Sequence, residues 1–311
     1  MTKVPKISII DPLMDHFLAS NCFTDRSFPL TCKRYTQQGN TDLHDHDFYE
    51  LAIILKGRGL HFTAAEKYPI QAGDVFLLRR NMAHGYIDED ESIALANILF
   101  DPRRLRLPLD HLADVPGYQA LFRVEPSLRQ SNRFQHRLHL PPDALAEAAG
   151  MIARLENEIT RKAPGYRFSA VVHLMTLIDF LSRRYFKTTP ADKRPLRKMS
   201  EILSYIEAHY QEPIRIDQLT RLAGMSKSSL TRNFQAIMNC SPIDHIIRMR
   251  IQRAAELLRR PGVRIAEAAQ ECGFTDSNYF TRQFHKIIGV SPREYRIPAR
   301  HVRTRNHVSI K

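Results

Sequence analysis

The sequence lacks the features that mark a secreted or membrane-spanning chain. It has only four cysteines, Cys22, Cys32, Cys240 and Cys272, and none of them form a CxxC pair. No apolar run approaches the ~18–20 residues of a membrane span. The first residues, MTKVPKISIIDPLMDHF, contain no apolar block typical of a signal peptide. These absences predict a cytoplasmic protein without a membrane partner, with reduced, mostly buried thiols rather than disulfide or zinc sites.

Acidic residues are scarce in the last third of the chain, and the net charge is +13. Residues 193–311 carry 22 Lys and Arg against 10 Asp and Glu, whereas residues 1–192 carry 24 against 23. Neutralising phosphates releases condensed counterions, so this asymmetry favours a polyanion partner. A well-solvated basic domain would have the same composition, and the charge alone does not identify the polyanion.

The hydrophobic pattern changes along the chain and predicts an α+β protein with two domains. Residues 20–100 contain apolar runs between turn residues, which is typical of antiparallel β structure, and Phe134–Leu140 offers a last strand. Two helices are expected after Pro141, the second over Arg167–Phe186. We predict a sensing and dimerisation domain, a linker, an all-α domain and a poorly ordered basic tail, with the boundaries 1–186, 187–195, 196–296 and 297–311.

One apolar stripe follows Pro141 at alternating spacings of three and four residues. Its members are Leu145, Ala148, Ile152, Leu155 and Ile159. This spacing places them on one face of a helix. The face would form a dimer seam or pack on the outside of the β domain, and the sequence does not separate these alternatives.

A pattern in the basic region occurs twice. Residues 215–242, RIDQLTRLAGMSKSSLTRNFQAIMNCSP, are echoed by residues 264–292, RIAEAAQECGFTDSNYFTRQFHKIIGVSP. Each copy predicts a helix, a glycine turn and a second helix. Ser226 is expected to cap the second helix of the first copy, and Thr275 is expected to cap its counterpart. Two tandem helix-turn-helix motifs indicate a protein that binds double-stranded DNA.

The exposed faces of the two second helices carry side chains suited to a major groove. Leu230 and Phe234 must face inward, which leaves Arg232 outside. Arg232 and Arg282 can each form two hydrogen bonds with guanine. Asn278 can pair with adenine, and the Asp276 carboxylate can accept a hydrogen bond from cytosine N4. Ordinary solvent-facing residues would show the same pattern in a single copy, but two copies in a basic region make that alternative weak.

A predicted helix over Pro242–Arg260 connects the two copies. A helix of that length spans roughly 25–30 Å, which suits two DNA-contacting helices held about one DNA turn apart. Arg248, Arg250 and Arg253 on this helix are candidates for phosphate contacts or for intramolecular ion pairs.

LAGMSKSSLTRNF, RMRIQRAAELL and CGFTDSNYFTRQFHKIIGVSPREYR resemble the AraC/XylS family of bacterial transcription regulators over about residues 196–296. The resemblance implies a seven-helix domain that binds two adjacent major-groove segments. It also implies dimers on paired half-sites and, usually, activation of RNA polymerase. The family's base-reading positions fall on Ser228, Thr231, Arg232, Asp276, Asn278 and Arg282.

Residues 39–57 and 73–84 resemble the two sequence motifs of cupin barrels. His44 and His46 alternate along one strand and therefore share a face, with Glu50 and His84 nearby in the motifs. Three imidazoles and a carboxylate can bind a divalent transition metal. Arg79 and Asn81 stand where the metal-binding pattern has Pro and Gly. Three interpretations stay open: a polar small-molecule site, a metal site, or histidines with a structural role.

LHDHDFYELAIILKGRGLHF, NILFDPRRLRL and VPGYQALF resemble the sensor domains of the L-rhamnose operon regulators. This resemblance implies a sugar or sugar-like inducer, with candidate pocket residues His44, His46, Glu50, Arg79 and His84. We therefore predict a non-enzymatic, ligand-responsive regulator, expected to be an activator, of a carbohydrate-utilisation operon. The alternative is a metal-dependent cupin enzyme, of the sugar isomerase or dioxygenase type, tethered to nucleic acid by its basic domain.

Overall fold

The computed structural model describes residues 15–88, 93–130, 137–187 and 194–296. It divides into two compact units, Met1–Ser204 and Tyr205–Lys311. The boundary falls inside a helix, α6, which runs from Arg194 to His209. The end of the predicted linker is therefore helical. Residues 188–193 of that linker and the whole predicted tail lie outside the described residues.

The first unit contains two five-stranded sheets. Their strands are β1 (Asp15–Phe17), β2 (Leu30–Tyr35), β3 (His44–His46), β4 (Tyr49–Lys56), β5 (Arg58–Thr63), β6 (Lys67–Gln71), β7 (Asp74–Leu78), β8 (His84–Asp88), β9 (Ala94–Phe100) and β10 (Leu138–His139). One sheet has the order β1-β3-β8-β5-β6 and the other β10-β7-β4-β9-β2. The pairs are antiparallel except β1 with β3. This confirms the predicted cupin-like β domain.

Strand register defines the face of the β4 sheet that carries the apolar core. Glu50 pairs with Leu78, and Ala52 pairs with Phe76. Directly opposite residues share a face, so Glu50 lies on the same face as these apolar side chains. Ala52, Phe76 and Leu78 belong to a fully buried cluster. A carboxyl group has therefore been placed inside an apolar core.

Helices follow the strands of the first unit. They are α1 (Ala19–Cys22), α2 (Pro116–Gln119), α3 (Glu125–Gln130), α4 (Pro142–Arg161) and α5 (Tyr166–Arg184), with a 3₁₀ turn at Leu109–Leu112 and a π-helical turn at Ala120–Val124. The segment from α2 to α3 had no predicted structure. It is buried on most sides, so it lacks the one-sided apolar period by which a surface helix is recognised.

The apolar stripe of α4 is part of the core of the first unit. Ala148, Ile152 and Leu155 are fully buried, and α4 packs against α5 and β2. A dimer seam through the centre of this stripe is therefore wrong, because these side chains are already covered within one chain, while Leu145 and Ile159 at its ends are half-buried. The alternative, that the stripe packs on the β domain, is confirmed.

The second unit is helical and contains both predicted helix-turn-helix motifs. After α6 come α7 (Ile216–Ala223), α8 (Lys227–Met238), α9 (Pro242–Leu258), α10 (Ile265–Glu271), α11 (Ser277–Ile288) and α12 (Pro292–Arg296). Ser226 caps α8, because its side chain accepts from the Ser229 amide. The predicted cap of α11 was wrong by one position. Asp276 rather than Thr275 accepts from the first amides of that helix.

The cysteines and the longest helices lie in both units. The four cysteines are free, and three of them are buried. Within the part of the chain that the structure describes, none of the helices has the length and apolar character required to cross a bilayer.

Candidate functional site

The α8 helix presents a polar face outside its apolar one. Leu230 and Phe234 are fully buried, and Arg232 is exposed. Ser228 is also exposed, and its hydroxyl lies 3.1 Å from the hydroxyl of Ser226, the cap residue. Thr231 is half-buried. The three positions predicted for base reading thus lie on the side of α8 away from its core.

The α11 helix repeats this arrangement with different chemistry. Asn278 and Arg282 are exposed, while Phe280 and Phe284 are fully buried. One oxygen of Asp276 accepts from the amides of Asn278 at 2.7 Å and Tyr279 at 3.1 Å. The Tyr279 and Asn278 amides hold the pKa of the Asp276 carboxyl below its usual value. Asp276 therefore remains ionised, and its second oxygen can accept another donor.

The three arginines on α9 have three different environments. Arg248 is exposed. Arg253 forms ion pairs with Glu207 at 3.6 Å and Glu256 at 3.5 Å. Arg250 donates to three backbone carbonyls and is therefore committed to contacts within the protein. Of the three candidates for phosphate contact, Arg248 has the most suitable placement.

Three side chains meet inside the β domain. His46 on β3, Glu50 on β4 and His84 on β8 come from both sheets, and one donor atom of each lies within 4.8 Å of the other two. The Oε2 atom of Glu50 is 3.5 Å from Nε2 of His46 and 3.8 Å from Nε2 of His84. The Tyr86 hydroxyl donates to the other Glu50 oxygen at 3.4 Å. All four side chains are buried. We call His46, Glu50 and His84 the buried triad.

Backbone contacts set the orientation of both imidazoles in the buried triad. The Nδ1 atom of His46 lies 2.9 Å from the Phe48 carbonyl, and that of His84 lies 2.8 Å from the Met82 carbonyl. In the neutral ring, Nδ1–H then donates to the carbonyl and Nε2 presents its lone pair to Glu50. Neither Nε2 atom has a hydrogen-bond partner among the described residues.

Burial determines the charges of the buried triad. It lowers the pKa of His46 to about 4 and that of His84 well below its ordinary value, so both rings are neutral at pH 7. Burial also raises the pKa of Glu50 to about 7. The contacts between Glu50 and the two histidines are therefore not full-charge ion pairs at neutral pH.

Two predicted pocket residues lie beside the buried triad rather than within it. The His44 ring packs at 4.3 Å from the His84 ring, but its Nδ1 atom lies 2.9 Å from the Asp42 carbonyl and His44 is not part of the donor group. Arg79 directly follows β7, and its guanidinium donates to the Ser127 hydroxyl at 3.0 Å. The structure thus brings together three of the five predicted pocket residues.

Sequence reasoning missed His61, Tyr86 and Arg129. His61 on β5 is fully buried, and its ring stacks on His84 at 5.7 Å. Both of its ring nitrogens have no hydrogen-bond partner among the described residues. Arg129 is buried over the Phe76 ring at 5.3 Å. Only the register of β5 with β8, which pairs His61 with Tyr86, could have indicated His61.

Comparisons with known proteins agree with this two-part architecture. The family model described as an AraC-like ligand binding domain matches residues 21–178, and that described as a helix-turn-helix domain matches residues 219–297. The HTH-type transcriptional activator RhaR of Escherichia coli strain K12 is 28% identical over 91% of this chain and 95% of its own. RhaR of Shigella flexneri shows the same identity and coverage.

A solved structure of a probable AraC family transcriptional regulator from Rhodopseudomonas palustris is 32% identical. The match covers 32% of this chain and 93% of that chain, with a TM-score of 0.30. The family models match both the β domain that holds the buried triad and the helical domain that holds the two motifs. The relatives are transcriptional activators, which leaves the cupin-enzyme alternative without support. The chain belongs to the AraC family: it is a DNA-binding transcription regulator with a ligand-binding domain, and not an enzyme.

Proposed function

We propose that the protein is a cytoplasmic activator of a carbohydrate-utilisation operon and that a sugar bound in the β domain controls it. The observation that carries this proposal is the buried polar set formed by His46, Glu50, His61, His84 and Tyr86. Such groups can satisfy the hydroxyls of a ligand inside an otherwise apolar core. The similarity to RhaR, named as an activator, supports the direction of regulation.

The chemistry of this set favours a neutral polyhydroxy ligand. The three imidazoles are uncharged at pH 7, because burial lowers the pKa of His46, His61 and His84. His46 and His84 each offer an Nε2 acceptor, because their Nδ1–H groups donate to backbone carbonyls, and His61 offers both a donor and an acceptor. Glu50 is the acidic member, and an anionic ligand would lie against it. We assign His44 to the edge of the pocket, and Arg79 to the support of α3 through Ser127.

Sugar binding would act by shifting a conformational equilibrium. An effector changes DNA binding only through different affinities for two states of the protein. We propose that Ser228, Thr231 and Arg232 read one major-groove segment of promoter DNA and that Asp276, Asn278 and Arg282 read the next. We also propose that the protein binds paired half-sites as a homodimer and that it recruits RNA polymerase there.

The test of the sugar proposal is a thermal-shift screen on the full chain. The panel compares neutral hexoses and 6-deoxyhexoses with uronic acids and sugar phosphates. A neutral sugar present at a hundredfold excess over its Kd should stabilise the fold by about 2.7 kcal/mol. Glu50→Gln and His84→Gln should abolish the shift, whereas His111→Gln, an exposed histidine, should preserve it. A panel without any stabilising sugar would contradict the proposal.

A second candidate is that a divalent transition metal takes part in sensing. The observation in its favour is that the two Nε2 lone pairs and one Glu50 oxygen of the buried triad converge within 4.8 Å. Backbone carbonyls orient both imidazoles, as is usual for metal-bound histidines. The sugar proposal needs no cofactor and holds with or without this ion. Elemental analysis of purified protein that finds no stoichiometric metal would exclude the second candidate.

A further inference from the structure

The Arg250 guanidinium lies at a junction of three backbone segments. Its Nε donates to the Tyr210 carbonyl at 2.6 Å, its Nη2 to the Glu212 carbonyl at 2.6 Å and its Nη1 to the Gly273 carbonyl at 2.8 Å. Its Cζ atom also lies 5.8 Å from the centre of the Phe274 ring. Hydrogen bonds from a charged donor are stronger than neutral ones, and the planar fork fixes their directions.

Two of these carbonyls immediately precede the first DNA-reading motif, and the third lies within the second motif. Tyr210 and Glu212 precede α7, the first helix of the first motif. Gly273 lies in the turn between α10 and α11 of the second motif. Arg250 is on α9, the helix that connects the motifs, so it joins the entrance of the first motif to the turn of the second.

The turn at Gly273 is built around this contact. Gly273 has φ +80°, and a Cβ there would lie 2.6 Å from the Gln211 carbonyl oxygen and 3.0 Å from Cζ of Arg250. The equivalent turn residue of the first motif, Gly224, has φ +63° but nothing within 4 Å of a Cβ position. The close approach is therefore particular to the second turn.

The apolar cluster described for the second motif does not extend into the first motif. The core of the second motif is a cluster from α9 onward that includes Ile251, Ala269, Phe280 and Phe284. Leu219, Leu230 and Phe234, which are fully buried in the first motif, are not members of it. Among the described residues, the Arg250 hydrogen bonds and the close approach of Gly273 to Gln211 tie the second turn to the start of the first motif.

We propose that Arg250 is a positioning residue that sets the spacing between the two recognition helices on DNA. It makes no phosphate contact. Loss of its three hydrogen bonds would leave both motifs folded while letting their separation and rotation vary. The specific consequence is a loss of selectivity for the distance between the two contacted DNA segments.

The experiment uses the full chain and a duplex selected with the wild-type protein from random sequence. Derivatives of this duplex have one base pair inserted or removed between the two contacted segments. Each base pair rotates the second segment by roughly 35°. The wild type should bind each derivative about tenfold or more weakly than the selected duplex, a loss comparable to that of a base contact. Arg250→Lys should bind all three duplexes within about threefold, because a lysine cannot span three carbonyls.

Salt dependence separates positioning from phosphate contact. Fluorescence anisotropy between 50 and 200 mM salt should give Arg250→Lys the wild-type slope of log K against log salt. Arg248 is exposed and lies two residues away. Arg248→Ala should reduce the magnitude of that slope by about 0.9 and should retain the spacing preference. Because lysine preserves the charge, Arg250→Gln is measured as well, and its slope should also equal that of the wild type. A lower slope for Arg250→Gln with intact spacing selectivity would overturn the proposal.

A glycine pair provides a test that leaves Arg250 in place. Gly273→Ala should relax spacing selectivity, because its Cβ displaces Gln211 or Arg250. Gly224→Ala introduces a side chain at a similar φ without that displacement and should keep the selectivity. All binding is measured below the unfolding temperature found by circular dichroism. Folded Arg250 and Gly273 variants that discriminate spacing as the wild type does would show that the contact is only structural.

Discussion

Single residues of the β domain illustrate what spacing can and cannot predict. The resemblance to cupin motifs predicted a cluster of His44, His46, Glu50 and His84, and the structure brings the last three together. Alternation along β3 predicted that His44 shares a face with His46, and the structure packs the His44 ring against the His84 ring. His61 was missed because it lies outside the two cupin motifs, 39–57 and 73–84, and its position in the site depends on the pairing of β5 with β8. A side chain that enters a site from a neighbouring strand is visible only once the register is known.

The exposed arginines of the two motifs lead to a prediction at the residue scale. Arg232 and Arg282 each project from the outer face of a recognition helix. If they contact guanine, Arg232→Ala or Arg282→Ala should weaken the binding free energy for the selected duplex by about 1–3 kcal/mol and relax the base preference at one position. Competition binding against single-base variants of that duplex measures this. An equal loss on random DNA would show phosphate contact instead.

At the scale of elements, capping shows how local sequence can mislead by one residue. Thr275 and Asp276 are both residue types that favour the position before a helix. The backbone places the Asp276 carboxylate against the Asn278 and Tyr279 amides, so the acid is the cap. Sequence alone could not choose, because adjacent capping residues differ only in the backbone angles that the turn imposes.

The Asp276 cap leads to a prediction about pH. Its pKa is lowered in the folded protein by the Tyr279 and Asn278 amides. Its contribution to stability is therefore present above the unfolded pKa and is lost as pH falls through the folded value. Asp276→Ala should lower Tm at pH 7 more than Thr275→Ala. The difference between the two variants should shrink in acid. A difference that does not change down to the acid transition would contradict this account.

At the scale of the whole molecule, amphipathic patterns leave the partner of an apolar face undecided. The stripe on α4 fitted a dimer seam and a packed core equally well, and the structure buries it against α5 and β2. Ile152→Ala should therefore cost about 2–5 kcal/mol in urea unfolding, because a core side chain is lost. Phe168→Ala, at a side chain that is 77% exposed, should change stability by less than about 0.5 kcal/mol.

Association provides the control for that prediction. We expect a homodimer by sedimentation, and Ile152→Ala should not change its mass, since the stripe is covered within each chain. If the Ile152→Ala variant became monomeric at unchanged stability, the stripe would have to form the dimer interface after all. A wild-type monomer with and without effector would contradict the dimer itself.

Local sequence by itself determined the two helix-turn-helix motifs, the β character of residues 20–100 and the outward faces of α8 and α11. Their signals repeat over a few residues, so periodicity and turn chemistry specify them. Tertiary structure decided which groups meet: Glu50 with His46 and His84, His61 behind them, and Arg250 with three distant carbonyls. These contacts join segments far apart in the chain, and their register follows from packing rather than from any local pattern.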